Sequence, residues 1–306
     1  MSLVVRLTAP DELQVADEQV AGPGPGQVRI VQEAIGVNFV DTYFRSGRFP
    51  LPAYPAVIGG EGVGVIDAVG NDVDLVVGQR VGYYFSLGSY AQTRLLLAAD
   101  AIPLPDDLPS VQAAALLAKG LTAWGRLRPV KQGDVILVTG ATGGVGSMLA
   151  TWAQHLGATV ITPVASEARA EAARALGLRN VVVAGRLAGQ SQVDVFYDLV
   201  GQATFKESIQ LLKDGGTLDL IGSASGAPDL DEADLARRRI TVTRSSTGDH
   251  LPDRATLLTA ADELFAAWRA GVFGPRSIRT YPLAEVAQAH RDLEAGIPEN
   301  AVVLLP

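Results

Sequence analysis

The segment Val135-Ile136-Leu137-Val138-Thr139-Gly140-Ala141-Thr142-Gly143-Gly144-Val145-Gly146 constrains the fold more than any other part of the chain. A short apolar run, of the kind a buried parallel strand shows, leads into a glycine-rich turn. The turn leads into a helical stretch, Ser147–Leu156, that ends at Gly157. Ala141, Gly143 and Gly146 take the three places of the pattern G-x-G-x-x-G/A, and Gly140 and Gly144 add freedom beside them. Gly143 would let the backbone approach a pyrophosphate, and Gly146 would let the helix pack closely on the strand. The helix N-terminus would present N–H groups and partial positive charge to phosphates. A bare glycine triplet is a weak signal; in a strand–turn–helix setting it favours nucleotide binding over a structural turn. Ala141, Gly143, Gly144, Val145 and Gly146 are therefore candidate cofactor-binding residues.

The flanking sequence extends this pattern. Thr159–Pro163, Val181–Val183, Val193–Tyr197 and Thr217–Ile221 read as strands, and Glu167–Leu176 and Thr204–Leu212 as helices. Strand–helix alternation predicts an α/β fold with a doubly wound parallel sheet. The first third is different. Val28–Val31, Val63–Val69, the Gly78–Gly82 segment and Ser89–Leu97 are short strand-like runs punctuated by Gly and Pro, which predict an antiparallel, barrel-like domain. The character changes near Ser110, where Val111–Ala118 and Thr122–Leu127 read as helices. Asp262–Ala270 and Ala284–Leu293 read as later helices, and Ala301–Leu305 as a closing strand that rejoins the first domain. The expected organisation is a β-rich domain over 1–115, completed by 272–306, and a dinucleotide-binding domain over 116–271.

Composition narrows the function. The chain has no cysteine, which removes disulfides, Cys-ligated zinc, iron–sulfur clusters and a thiol nucleophile. The spacing of its three histidines suggests no metal site. Net charge is −8 over 306 residues, against a general nucleic-acid binder. No uncharged apolar run reaches the ~18 residues of a membrane span. The first residues lack a basic segment followed by a long apolar one. The expectation is a cytoplasmic protein with no nucleic-acid or membrane partner.

The strand after the glycine-loop helix ends in Thr162-Pro163-Val164-Ala165-Ser166, so Ser166 stands where NAD-type sites carry an acid for the ribose 2′-hydroxyl. Glu167 is adjacent, and Arg169 lies one turn into the next helix, where it could pair with a 2′-phosphate. The two charges point to different cofactors; Ser166 with Arg169 gives NADPH. A short-chain dehydrogenase would also carry a loop like Thr139–Gly146, but it needs a Tyr-x-x-x-Lys pair downstream. Tyr197 is followed four residues later by Gly201, and Tyr281 by Glu285.

Four further blocks carry a resemblance. Gly36-Val37-Asn38-Phe39-Val40-Asp41-Thr42-Tyr43-Phe44-Arg45-Ser46-Gly47, Gly59-Gly60-Glu61-Gly62-Val63-Gly64-Val65-Ile66-Asp67-Ala68-Val69-Gly70, Leu117-Ala118-Lys119-Gly120-Leu121-Thr122-Ala123 and Tyr281–His290 resemble the zinc-free quinone oxidoreductase (zeta-crystallin-like) branch of the medium-chain dehydrogenase/reductase superfamily. The resemblance spans nearly the whole chain. It implies a GroES-like β domain beside a Rossmann domain, NADPH as cofactor, and a small quinone or activated enone as substrate. The zinc alcohol dehydrogenases of the superfamily place a Cys where Asn38 stands and a His where Gly60 stands, so no metal is expected and simple alcohol oxidation loses its Lewis acid.

By the same resemblance Asn38 and Tyr43 are the candidate catalytic residues, beside the nicotinamide and the acceptor. Thr122 would lie by the nicotinamide ribose, with Lys119 either near the cleft or on a helix surface. Val200, Gly222 and Ser223, at the ends of successive strands, would contact cofactor. Asp41 and Arg45 are expected to form a structural ion pair, and His290 to be structural. Asn300-Ala301 replaces the Gly-Lys of many relatives, and Ala184 replaces a Tyr, with Arg186 nearby. Relatives imply a homodimer through the Rossmann sheet edge, here the Ile240–Arg244 strand. An enoyl-thioester reductase and a non-catalytic cofactor-binding protein are the competing readings.

Overall fold

The computed structural model of the chain describes residues 1–297 and 300–306. It begins with strands β1 (Ser2–Ala9), β2 (Glu12–Glu18) and β3 (Gln27–Val37), followed by helix α1 (Phe39–Arg45). Strands β4 (Ala56–Val57), β5 (Glu61–Val69), β6 (Arg80–Tyr84), β7 (Thr93–Leu97) and β8 (Ile102–Pro103) precede the long helix α2 (Ser110–Leu127). Then come β9 (Val135–Val138), α3 (Gly144–His155), β10 (Thr159–Val164), α4 (Glu167–Ala175), β11 (Asn180–Val183) and β12 (Val193–Asp198). Helix α5 (Gln202–Ser208), β13 (Leu212–Leu220), α6 (Glu232–Arg237), β14 (Thr241–Thr243) and α7 (Arg254–Arg269) follow. The chain closes with β15 (Ile278–Pro282), α8 (Val286–Glu294) and β16 (Ala301–Leu305).

Two compact units result: Met1–Ala118 with Ser277–Pro306, and Lys119–Arg276. The junctions fall a few residues beyond positions 115 and 271, where the sequence places them. One reason is that α2 is unbroken. Val111–Ala118 and Thr122–Leu127 are a single helix, and Gly120 does not interrupt it. A Cβ on Gly120 would lie 2.3 Å from Leu264 of α7, so the glycine serves close packing between helices rather than a turn.

The first unit holds an antiparallel sheet in the order β15-β16-β3-β5-β6-β8, in which only β15 and β16 run parallel, with β7 also pairing β3. The closing strand β16 pairs with β3 at Val302–Val37 and Leu304–Ile35. A smaller sheet, β2-β1-β4, starts from a hairpin that the sequence reading passed over. Val5, Leu7, Ile35, Val37, Val302 and Leu304 form one core with Tyr90 and Val286; Val28, Ile30, Ile66, Val81 and Leu96 form another.

The second unit is a six-stranded, all-parallel sheet in the order β11-β10-β9-β12-β13-β14. Counted from β9, this is the doubly wound order 3-2-1-4-5-6, which reverses between β9 and β12. Its core joins Leu137, Ile161, Phe196 and Leu218 of the strands to Phe205, Leu211 and Leu235 of the connections. Strand β14 is one edge. Helix α7 starts at Arg254, well before the expected Asp262, because Asp253 caps it by accepting the Thr256 N–H at 2.7 Å.

Candidate functional site

In the second unit, β9 ends in Val138, and Gly140 turns the chain with φ +66°. The Gly143 N–H closes this turn on the Gly140 carbonyl at 2.9 Å, and Gly143 is the N-cap of α3. A Cβ on Gly146 would lie 2.3 Å from the Gly140 carbonyl oxygen, so only glycine lets α3 pack this closely on the strand end. Gly143 brings no side chain to cap α3, and the first turn presents backbone N–H groups with the positive end of the helix dipole. Ala141 is buried beneath the turn.

Asp198, at the end of β12, organises the neighbouring loop. It is fully buried. Its Oδ1 accepts the Thr139 hydroxyl at 2.8 Å and the Val200 and Gly201 N–H groups at 3.2 and 3.0 Å. The Thr139 oxygen in turn accepts the Leu199 N–H at 3.0 Å. The Asp198 carbonyl accepts the Ile221 and Gly222 N–H groups, and Ser225 closes on the Val200 carbonyl. Thr139 at the glycine loop, Val200 after β12 and Gly222 after β13 are thereby tied together, and Ser223 follows directly. The sequence reading missed Asp198, because an acid ending a strand gives no spacing signal.

Arg276 was also missed. Its guanidinium donates to Ser147 Oγ at 2.9 Å and to the Gly144 carbonyl at 3.1 Å. Burial lowers it to about 10. Ser166 is the N-cap of α4 and accepts the Arg169 N–H at 3.3 Å. Glu167 pairs along the same helix with Arg174 at 3.0 Å, and Arg169 is half-buried. Thr122 shares a hydroxyl hydrogen bond with Thr247 at 2.9 Å. Lys119 is buried, not a helix-surface lysine.

In the first unit, Asn38 follows β3 and is the N-cap of α1, a helix absent from the sequence reading. Its backbone N–H donates to Asp41 Oδ2 at 2.8 Å, and its side-chain Nδ2 donates to Glu61 Oε2 at 2.8 Å. Glu61 is fully buried. Asp41 is buried too, and its Oδ2 also accepts the Tyr90 hydroxyl at 3.1 Å. Arg45, expected to pair with Asp41, forms ion pairs with Asp11 at 2.8 Å and Glu294 at 3.0 Å. Burial, then the Asp41 charge, pushes Tyr90 well up.

Tyr43 is half-buried on α1. Its ring meets Phe39 and Phe49 edge-on at 5.7 and 5.3 Å, and the Arg48 guanidinium lies 4.3 Å from its centre. Among the described residues no hydrogen bond engages the Tyr43 hydroxyl, which leaves it able to donate. Gly60, beside Glu61, has Phe85 Cα as the nearest atom to a built Cβ, at 3.7 Å. The described residues contain no cluster of three or more His, Asp or Glu suited to a metal, and no helix long and apolar enough to cross a membrane. Asn300 Oδ1 accepts from the Ser277 N–H and hydroxyl, anchoring the start of β15.

Comparison with known proteins matches residues 24–106 to the alcohol dehydrogenase GroES-like domain and residues 144–265 to the zinc-binding dehydrogenase family. A 2-haloacrylate reductase of a Burkholderia species is 38% identical over 97% of this chain and 96% of its own. A quinone oxidoreductase of Pseudomonas aeruginosa is 36% identical over the same shares. The crystal structure of Escherichia coli quinone oxidoreductase complexed with NADPH superposes with a TM-score of 0.93 at 31% identity, covering 99% of this chain and 100% of that one. The full-length likeness, the two matched domains and the parallel 3-2-1-4-5-6 sheet agree, and the chain belongs to the zinc-free quinone oxidoreductase branch of the medium-chain dehydrogenase/reductase superfamily.

Proposed function

We propose that the chain is an NADPH-dependent reductase that passes a hydride to an electron-poor acceptor, a quinone or an activated enone, without a metal ion. The observation that carries this reading is the tie between Thr139 and Asp198. It joins the glycine loop after β9 to the Val200-Gly201 loop after β12, where the strand order reverses. Doubly wound sheets bind ligands outside the carboxyl ends of their strands at such a point. The fit to a dinucleotide is supported by the uncapped first turn of α3 and by the close approach that Gly146 permits.

NADPH, when bound, supplies a hydride from its reduced nicotinamide ring. Ala141, Gly143, Gly144, Val145 and Gly146 would hold the pyrophosphate, and Ser166 with Arg169 the 2′-phosphate. Arg169, half-buried in the first turn of α4, is read as the charge that decides between cofactors. Thr122, Val200, Gly222 and Ser223 would hold the nicotinamide half. The Tyr43 hydroxyl donates to the acceptor oxygen as negative charge gathers there, and the Asn38 amide orients the ligand. Tyr43 or water returns the proton. The names of the two relatives, one for quinones and one for halogenated acrylates, support an electron-poor acceptor. In this reading the protein is cytoplasmic, and β14 is the edge through which two copies pair.

The test is steady-state NADPH oxidation with an ortho-quinone, an activated enone and an enoyl-thioester, each with and without prolonged chelation. Turnover of the quinone or enone that survives chelation is expected. Turnover of the thioester alone would favour the enoyl-thioester reductase reading, and no turnover of any acceptor would leave a cofactor-binding protein.

A further inference from the structure

His250 lies on the loop between β14 and α7, against Gly125 of α2. A Cβ on Gly125 would lie 2.6 Å from His250 Cβ, so glycine there lets the loop sit this close. Next to Gly125, the buried Arg126 donates to Asp219 Oδ1 at 2.7 Å and to Ser245 Oγ at 2.8 Å, and also to the Ser245 carbonyl. Ser245 Oγ lies 2.9 Å from Nε2 of the half-buried His250. A guanidinium can only donate, so Ser245 Oγ accepts from Arg126. Among the described residues the Ser245 hydroxyl has no acceptor but His250 Nε2. It therefore donates there, which requires a neutral ring with Nε2 bare.

The same loop holds Thr247. Its carbonyl accepts the His250 N–H at 3.1 Å, and its hydroxyl shares the 2.9 Å bond with Thr122 of α2. A proton on His250 Nε2 would aim two cationic N–H donors at one hydroxyl and leave the Ser245 hydrogen without its acceptor. The carboxylates that face His250 are Asp219 of β13, already held by Arg126, and Asp249, which accepts the Ser246 N–H at 2.6 Å. Burial, then the Arg126 charge, lowers His250 from its ordinary value against the opposing pull of Asp219 and Asp249.

We propose that His250 is a proton-sensitive positioning residue: neutral, it holds the loop after β14 on α2 and keeps Thr247 on Thr122; protonated, it releases both and weakens cofactor binding. The inference rests on the reading of Thr122 as a residue of the nicotinamide half.

The test is NMR titration of the His250 ring on the full-length protein, its signal assigned by its absence in His250→Gln. NADP+ is the probe, because it survives acid. If only neutral His250 supports the cofactor-binding loop, linkage is reciprocal, and saturating NADP+ must lower the pKa of His250. In Thr247→Val, which removes the tie to Thr122, NADP+ should leave that pKa unmoved. Between pH 7.5 and pH 5, NADP+ affinity should fall severalfold further in the wild type than in His250→Gln, since the titration of the 2′-phosphate is common to both. A His250 pKa unmoved by NADP+, or parallel affinity profiles, would overturn the proposal. If the wild type does not bind NADP+, the cofactor reading falls, and hydrogen exchange at Thr247 and Gly248 decides the role of His250 alone. At pH 5 it should be faster in the wild type than in His250→Gln, and equal rates would overturn the proposal.

Discussion

The Tyr90 hydroxyl lies 2.7 Å from His290 Nε2, both groups fully buried. Tyr90 has one proton to give, and Asp41 Oδ2, 3.1 Å away, accepts it. His290 Nε2 must then carry the proton that faces the Tyr90 oxygen, so His290 is the Nε2–H tautomer. Its Nδ1, which has no partner among the described residues, is a bare lone pair rather than a stranded N–H. Burial, and next the Arg45 charge, lower His290 from 6.5 to about 3. A lowered histidine contributes stability that is full above its unfolded value and is lost as pH falls below it. Stability should therefore drop by up to about 1.4 kcal/mol per pH unit from about pH 6.5 downward on account of His290. Urea unfolding at pH 7 and pH 5 checks this: His290→Gln should show a smaller difference between the two pH values than the wild type. Equal differences would mean that His290 is accessible to protons in the folded state.

Tyr43 is held by aromatic edges and by Arg48, so loss of its hydroxyl should not move the ring. Tyr43→Phe should lower kcat/KM for quinone about 10-fold, a loss near 1.4 kcal/mol. This is less than a fully enclosed donor would contribute, since water can replace a half-exposed one. NADPH affinity should stay within about twofold. Quinone turnover equal to wild type would reduce Tyr43 to a wall of the pocket.

Arg169 decides the cofactor in the proposed reading. A charge-assisted hydrogen bond contributes roughly 1.5–3 kcal/mol, or about 10- to 100-fold in affinity. Arg169→Ala should weaken NADPH by that factor and leave NADH nearly unchanged. Glu167 is exposed and pairs with an exposed Arg174, so it should resist NADPH only weakly. Fluorescence titration of both cofactors separates the outcomes: equal losses for NADPH and NADH would move the 2′-phosphate contact elsewhere.

The parts of this site that the sequence reveals are those built from neighbours. Gly143 and Gly146 do their work within a few residues of Gly140, so spacing alone exposes the strand–turn–helix. Ser166 is legible because it closely follows a strand and caps the next helix. Bonds between distant residues leave no local trace: Thr139 and Asp198 are 59 residues apart, Asn38 and Glu61 23, and Tyr90 and His290 200. Helix α1 escaped notice because its seven residues are too short for a helical period to stand out, and its start depends on Asp41 reaching back to Asn38. The continuity of α2 between Ala118 and Thr122 is not legible because the reason for Gly120, the approach of Leu264, lies in another element.

Asp198 offers the sharpest separation of charge from shape. Its Oδ1 serves Thr139, Val200 and Gly201, while its buried Oδ2 has no hydrogen-bond partner among the described residues. Asp198→Asn keeps one acceptor oxygen for the three donors and relieves an uncompensated buried charge, so the two effects oppose each other. Folding stability should change by no more than about 1 kcal/mol, while weaker neutral hydrogen bonds loosen the Val200-Gly201 loop. Asp198→Ala removes the acceptor altogether. Each buried donor left without one costs about 1–3 kcal/mol, so even partial rescue by water leaves a loss of about 3 kcal/mol. NADPH affinity should fall severalfold in Asp198→Asn and at least about 10-fold in Asp198→Ala, measured at a temperature where both remain folded. If Asp198→Ala unfolds at lower urea but binds NADPH like the wild type, the tie between Thr139 and the loop after β12 supports the fold alone, and the cofactor contacts must be set by the glycine turn without it.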